Sequence, residues 1–273
     1  MPYVDAADGT PLFYKDWGSG KPVVLIHGWP LNADMWEYQA PALAANGHRV
    51  IAYDRRGFGR SGQPWAGYDY DTFADDLAAI METLDLQGAA LVGFSMGGGE
   101  VARYLARHGA KRVAKAALLS AVTPMLLQDA TNPDGAPHGV FDKMLEGLAA
   151  DRPSFLATFG KQFMGAGLLN FTVTTEILQW CLWMAMMASP QATAECVRAF
   201  SATDFRGDMK AFALPTLIVH GTGDATVPID ISGRVSARMV PGAKFLEYDG
   251  APHGLFFTEK DRLNADLLGF LGG

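Results

Sequence analysis

The stretch AALVGFSMGGGE (89–100) constrains the fold of this chain more than any other. It opens on an uninterrupted apolar run, the mark of a strand buried on both faces of a parallel sheet. It closes on GEVARYLARHG (99–109), with apolar residues at helical spacing and a terminating glycine. A strand that passes so abruptly into a helix belongs to a layered α/β architecture. The turn between them, Gly93-Phe94-Ser95-Met96-Gly97, is G-x-S-x-G. In so sharp a turn a side chain beside the serine collides with neighbouring backbone, so glycines flank it. Its hydroxyl is pushed out at the carboxyl edge of the sheet, over a helix N-terminus that favours developing negative charge. A glycine-rich turn with an incidental serine is the alternative, but strand, elbow and helix together favour a nucleophile.

The rest of the chain repeats the rhythm. Strands are predicted at PLFYKDW (11–17), PVVLI (22–26), RVIAY (49–53), AALVG (89–93), AKAALLS (114–120), TLIVH (216–220) and KFLEY (244–248). Helical patterns such as DTFADDLAAIMETL (71–84) lie between them, which predicts a doubly wound, mostly parallel sheet. The interval 121–212 holds no convincing strand but seven of the twelve methionines. It reads as a helical cap inserted into a core domain of residues 1–120 and 213–273. The net charge of −7, without a basic run, excludes nucleic acid or an anionic membrane surface as partner. No export signal and no apolar run of membrane-spanning length is read, and Cys181 and Cys196 fit reduced core thiols, which together suggest a cytoplasmic protein.

A serine hydroxyl needs a base to take its proton, and the base needs an orienting carboxylate. DGAPHG occurs twice, at 134–139 and 249–254, giving His138 and His253 identical local settings. Chain order separates them. After a nucleophile elbow the acid comes next and the histidine last, and His253 follows the final strand whereas His138 lies in the insertion. The acid is expected after TLIVH, where Gly221-Thr222-Gly223 let the loop aim Asp224 at the histidine. Asp230, at a helix start, and Asp249, in the turn before His253, are the competitors. His27, His48, His108 and His220 show no metal-ligand spacing and read as structural; no metal is expected. Gly57-Phe58-Gly59-Arg60-Ser61-Gly62 matches the dinucleotide fingerprint G-x-G-x-x-G, but it neither directly follows a strand nor opens a helix, so nucleotide binding is excluded.

With these residues in place the chain resembles an α/β-hydrolase over nearly its whole length. IHGWP, YDRRGFGRS, YDYDTFADDL and VGFSMGGGE resemble more narrowly the cofactor-free haloperoxidases, with their arylesterase, perhydrolase and γ-lactamase relatives. The resemblance implies an α/β-hydrolase fold with a small helical cap after the sixth strand. It implies a serine esterase for small apolar or aryl esters, which passes through an acyl-enzyme to water or hydrogen peroxide. Halide oxidation would then run through the released peracid, without haem, vanadate or any other cofactor. It also implies a homo-oligomer, trimer or hexamer. Lactone or γ-lactam opening fits the same machinery. The haloalkane dehalogenases and epoxide hydrolases of this fold carry an aspartate at the elbow, and Ser95 argues against both. A ligand sensor on the same fold would not require Ser95, Asp224 and His253 together.

In this fold the oxyanion is met by the N–H of the residue after the nucleophile, Met96, and by one from the loop after the His-Gly strand, which makes Trp29 the second donor. Pro30 fixes its own φ and pushes Trp29 to extended ψ. That orients the Trp29 carbonyl, which is expected to accept a hydrogen bond from incoming peroxide; a turn that only braces the oxyanion donor is the simpler reading. Candidate pocket residues from the insertion are Met125, Phe159, Phe163, Trp180, Trp183, Met184 and Met187, although aromatic and Met residues at helical spacing also fit plain core.

Overall fold

A computed structural model describes residues 2–167 and 173–272. The chain runs β1 (Tyr3–Asp5), β2 (Pro11–Gly18), β3 (Lys21–Ile26), α1 (Gln39–Ala45), β4 (His48–Tyr53), α2 (Tyr70–Thr83), β5 (Ala89–Phe94), α3 (Met96–His108) and β6 (Val113–Leu119). The helices α4 (His138–Phe163), α5 (Thr175–Met186) and α6 (Pro190–Ala202) follow. β7 (Thr216–Gly221), α7 (Gly233–Met239), β8 (Lys244–Tyr248), α8 (Leu255–Thr258) and α9 (Lys260–Gly272) complete it. The strands form one sheet in the order β1-β2-β4-β3-β5-β6-β7-β8. β1 and β2 are antiparallel at one edge, and β3 to β8 are parallel.

The apolar runs explain the layering. In β3, Val23 and Leu25 face one core while Val24 and Ile26 face the other; in β4, Val50 and Ala52 alternate in the same way with Ile51 and Tyr53. α2 and α3 cover one face with Phe73, Leu77, Val101 and Leu105. α1 and α9 cover the other with Leu43, Leu263 and Leu267. Each such side chain, fully buried, contributes about 1.5–3 kcal/mol. β1 is absent from the sequence reading because three residues carry too little alternation to register.

Two features position the site. The chain steps from β3 outward to β4 and then back across to β5, so β3 and β5 are neighbours where the winding reverses. A crevice opens at the carboxyl ends of strands at such a switch point. The second feature is the excursion between β6 and β7. Among its described residues it contains α4, α5 and α6 and no strand. α4 bends at Asp151, whose φ/ψ of −154°/85° precedes Pro153. The excursion closes on itself where the Phe205 N–H donates to the Pro124 carbonyl at 2.8 Å, before the chain returns to the amino edge of β7. No described helix is long and apolar enough to cross a membrane.

Candidate active site

Ser95 directly follows β5 with φ +53° and ψ −117°, a conformation side-chain-bearing residues rarely hold. The flanking glycines permit it: a Cβ on Gly93 would lie 2.3 Å from the Gly97 carbonyl oxygen, and one on Gly97 2.4 Å from that of Ile26. The elbow is held by Ser95 N–H to Leu119 O (2.8 Å) and Val122 N–H to Ser95 O (3.2 Å). Met96 opens α3, so its N–H belongs to the first turn that a helix leaves without internal partners. The Tyr70 hydroxyl donates to the Met96 carbonyl (3.2 Å), fixing that residue from the other side.

The loop after β3 comes in against the elbow. A Cβ on Gly28 would lie 2.9 Å from the Ser95 Cβ. His27, fully buried, pins this loop: its Nδ1 lies 3.0 Å from the Gly28 carbonyl oxygen and its Nε2 accepts from the Arg55 N–H at 2.9 Å. Burial, reinforced by the Arg55 charge, pushes the His27 imidazolium pKa well below the usual range, so the ring stays neutral. Trp29 is buried, its indole N–H donating to the Thr193 carbonyl of α6 at 3.0 Å and its ring edge-on to Phe159 and Phe200. The Trp29–Pro30 peptide is cis.

His253, between β8 and α8, lies with Nε2 2.9 Å from Ser95 Oγ and Nδ1 2.6 Å from Asp224 Oδ2. A carboxylate only accepts, so the proton between them sits on Nδ1 and Nε2 is left to accept from the serine. The ring is clamped between Phe94 (5.0 Å) and Phe163 (4.7 Å). Asp224 Oδ1 accepts from the Thr226 and Val227 amides at 2.9 and 2.8 Å. Burial pushes the Asp224 carboxyl up, but the His253 charge and the hydrogen bonds from His220 and His253 outweigh it and hold the carboxyl far below the usual range. His220, read from sequence as merely structural, has Nε2 3.3 Å from Asp224 Oδ2. His220 lies near the end of β7, four residues before Asp224.

Ser95 and His253 open into a cavity of about 260 Å³. Its apolar wall comes from Phe141, Met144, Phe155 and Phe159 of α4, Val122 and Leu126 after β6, and Val227 after β7. Of the seven candidate pocket residues, Phe159 lines it and six do not. Met125 is buried and accepts from Asn132 through its carbonyl, and Phe163 backs His253. Met184 lies in the core beside Cys181, and Trp180 packs on Tyr38. Trp183 faces outward, 67% exposed, and Met187 is 41% exposed with its sulfur accepting from the buried Asn32 amide at 3.6 Å. The reason is layering: α5 packs on α4, so α4 forms the wall and the stripe on α5 serves core and surface. His138 is exposed at the start of α4, Asp230 pairs with Arg234 on the surface, and Asp249 accepts from Thr222 in an exposed turn.

The α/β hydrolase fold family model matches residues 21–260. The chain is 46% identical over 273 residues to a non-heme chloroperoxidase of Kitasatospora aureofaciens, covering 99% of each. It is 44% identical over 276 residues to a bifunctional esterase/perhydrolase of Acinetobacter calcoaceticus, again covering 99% of each. The crystal structure of a bromoperoxidase from Bacillus anthracis superposes with a TM-score of 0.97 at 46% identity, over 100% of this chain and 99% of that one. This chain belongs to the α/β-hydrolase family, in the branch of the non-heme haloperoxidases and esterase/perhydrolases. It is a hydrolase.

Proposed function

We propose that the protein is a serine carboxylic-ester hydrolase for small apolar or aryl esters, and that its acyl-enzyme also yields to hydrogen peroxide. The observation that carries this reading is the contact chain Ser95 Oγ–His253 Nε2–Asp224, 2.9 and 2.6 Å long, at the mouth of an apolar cavity. Ser95 Oγ attacks the ester carbonyl as His253 Nε2 takes its proton, and Asp224 stabilises the imidazolium. The Trp29 and Met96 N–H groups receive the developing oxyanion, each worth roughly 3 kcal/mol in the transition state. Collapse of the intermediate releases the alcohol with the proton returned by His253. Water or HOOH then gives up a proton to the same nitrogen and attacks the acyl carbon, forming acid or peracid and freeing Ser95. Halide, where present, is oxidised by the peracid in solution. Residues 121–212 act as the cap that shapes the pocket. By resemblance to its branch, we further propose a cytoplasmic homo-oligomer, trimer or hexamer, which sedimentation tests.

The experiment is turnover of p-nitrophenyl esters of graded acyl length, with and without peroxide, alongside labelling by a fluorophosphonate. Labelling at Ser95, with activity lost in Ser95→Ala and His253→Ala and kept in His138→Ala, is the expected outcome. An unlabelled Ser95 in folded protein overturns the reading and favours a ligand sensor.

A further inference from the structure

His220 closes β7, and the turn after it brings its ring against the carboxylate four residues on. Its Nε2 lies 2.8 Å from the Val227 carbonyl oxygen and 3.3 Å from Asp224 Oδ2. Both partners are acceptors, so the ring carries its proton on Nε2. Nδ1 is buried and has no hydrogen-bond partner among the described residues. Gly233 packs against it so closely that a Cβ there would lie 2.7 Å away. The ring therefore has one N–H to give, held between a backbone carbonyl and the same Oδ2 that accepts from His253 Nδ1 at 2.6 Å.

We propose that His220 is a positioning residue for the reaction, acting through Asp224. The proposal rests on the reading of Ser95, Asp224 and His253 as nucleophile, acid and base. Two backbone amides hold Asp224 Oδ1, and two donors on one oxygen leave the carboxylate a hinge about that oxygen. The His220 N–H, hydrogen-bonded to the Val227 carbonyl, also faces Oδ2 at 3.3 Å, and this electrostatic contact from the side restrains the plane of the group. The remaining lone pair of Oδ2 is then directed along the Nδ1–H of His253, which keeps Nε2 aimed at Ser95. His220 does not line the cavity, so its work falls on the chemical step and not on substrate binding.

The test compares His220→Phe, which keeps a flat ring without a donor, with His220→Gln, whose amide nitrogen stands the same number of bonds from Cα as Nε2. His220→Phe is expected to lower kcat about tenfold with KM unchanged, the scale of a hydrogen bond to a charged group. His220→Gln should recover kcat to within about threefold of wild type. The low-field proton resonance of the His253 Nδ1–H should persist in His220→Gln and broaden or vanish in His220→Phe. Should the aromatic variant not fold, His220→Met makes the same comparison. A folded donorless variant with wild-type kcat, or equal losses in the Phe and Gln variants with the low-field proton retained in both, overturns the proposal. Fluorophosphonate labelling of wild type separates the two levels: without labelling at Ser95 the hydrolase reading fails and the role of His220 falls with it, whereas labelling with no effect of His220 refutes the positioning role alone.

Discussion

Asp224 is enclosed by donors, and that decides what an amide in its place would do. Thr226 and Val227 amides face one oxygen and His253 the other, with the His220 N–H 3.3 Å from that second oxygen. An asparagine that keeps its oxygen on the two backbone amides must turn its NH₂ toward His253 Nδ1. The imidazole then accepts at Nδ1 and carries its proton on Nε2, where it cannot take the serine proton. Asp224→Asn is therefore expected to lower kcat by about 10⁴, while Asp230→Asn and Asp249→Asn, on exposed carboxylates, should stay within a few-fold of wild type; steady-state kinetics on one ester measures all three. At this scale the sequence was informative where chemistry is tied to chain order. The two DGAPHG copies are identical as strings, and only their position relative to strands distinguishes His253, in contact with Ser95, from the exposed His138. It was uninformative where a role depends on what lies across a turn, as with His220, whose ring meets Asp224 only once the loop at 221–224 has folded.

At the scale of elements, the loop 27–31 is irregular backbone tied down on several sides. Leu31 N–H returns to the Gly28 carbonyl at 3.0 Å, His27 ties the loop to Arg55, and Pro30 removes one rotatable φ. We expect Pro30→Leu to loosen the Trp29 carbonyl. If that carbonyl accepts from incoming peroxide, as we propose, dilute peroxide depends on it more than abundant water does. The ratio of peracid to acid formed from one ester at fixed peroxide should fall roughly two- to tenfold, the value of one neutral hydrogen bond, with hydrolysis held or raised. An unchanged ratio with collapsed hydrolysis would mean that Pro30 only braces the oxyanion donor. The elements themselves were largely legible, because buried parallel strands announce themselves as continuous apolar runs; the seven predicted strands match β2 to β8 to within a residue or so. The pocket wall was not. A stripe such as Trp180, Met184 and Met187 has the same spacing whether it faces a cavity, a neighbouring helix or water. Only the packing of α5 outside α4 shows which it does.

On the scale of the whole molecule, a buried ion pair ties the two halves of the site together. Arg55, after β4, lies 2.7 Å from Glu100 of α3, and neither side chain is exposed. The Tyr53 hydroxyl donates to the same carboxylate, and Arg55 donates to the His27 carbonyl at 2.9 Å. Burial pushes the Glu100 carboxyl up and the Arg55 guanidinium down, each the cost of taking a charge out of water. Glu100→Ala leaves a lone buried cation and should cost roughly 3–5 kcal/mol, read as a fall in the urea midpoint at constant slope. A loss below about 1 kcal/mol would put the pair in the class of exposed ion pairs. Both residues lie in stretches that the sequence singles out, but their pairing was not legible there, since it joins points 45 positions apart. The closure of the helical excursion at Pro124 and Phe205 has a consequence of another kind. An insert whose two ends meet can be exchanged as a cassette, which would set a different wall over the cavity and leave the elbow untouched. The indole of Trp29, bonded to the Thr193 backbone carbonyl of α6, limits that freedom: a transplanted cassette that does not bring a backbone carbonyl to the same place leaves a buried donor unpaired beside Ser95.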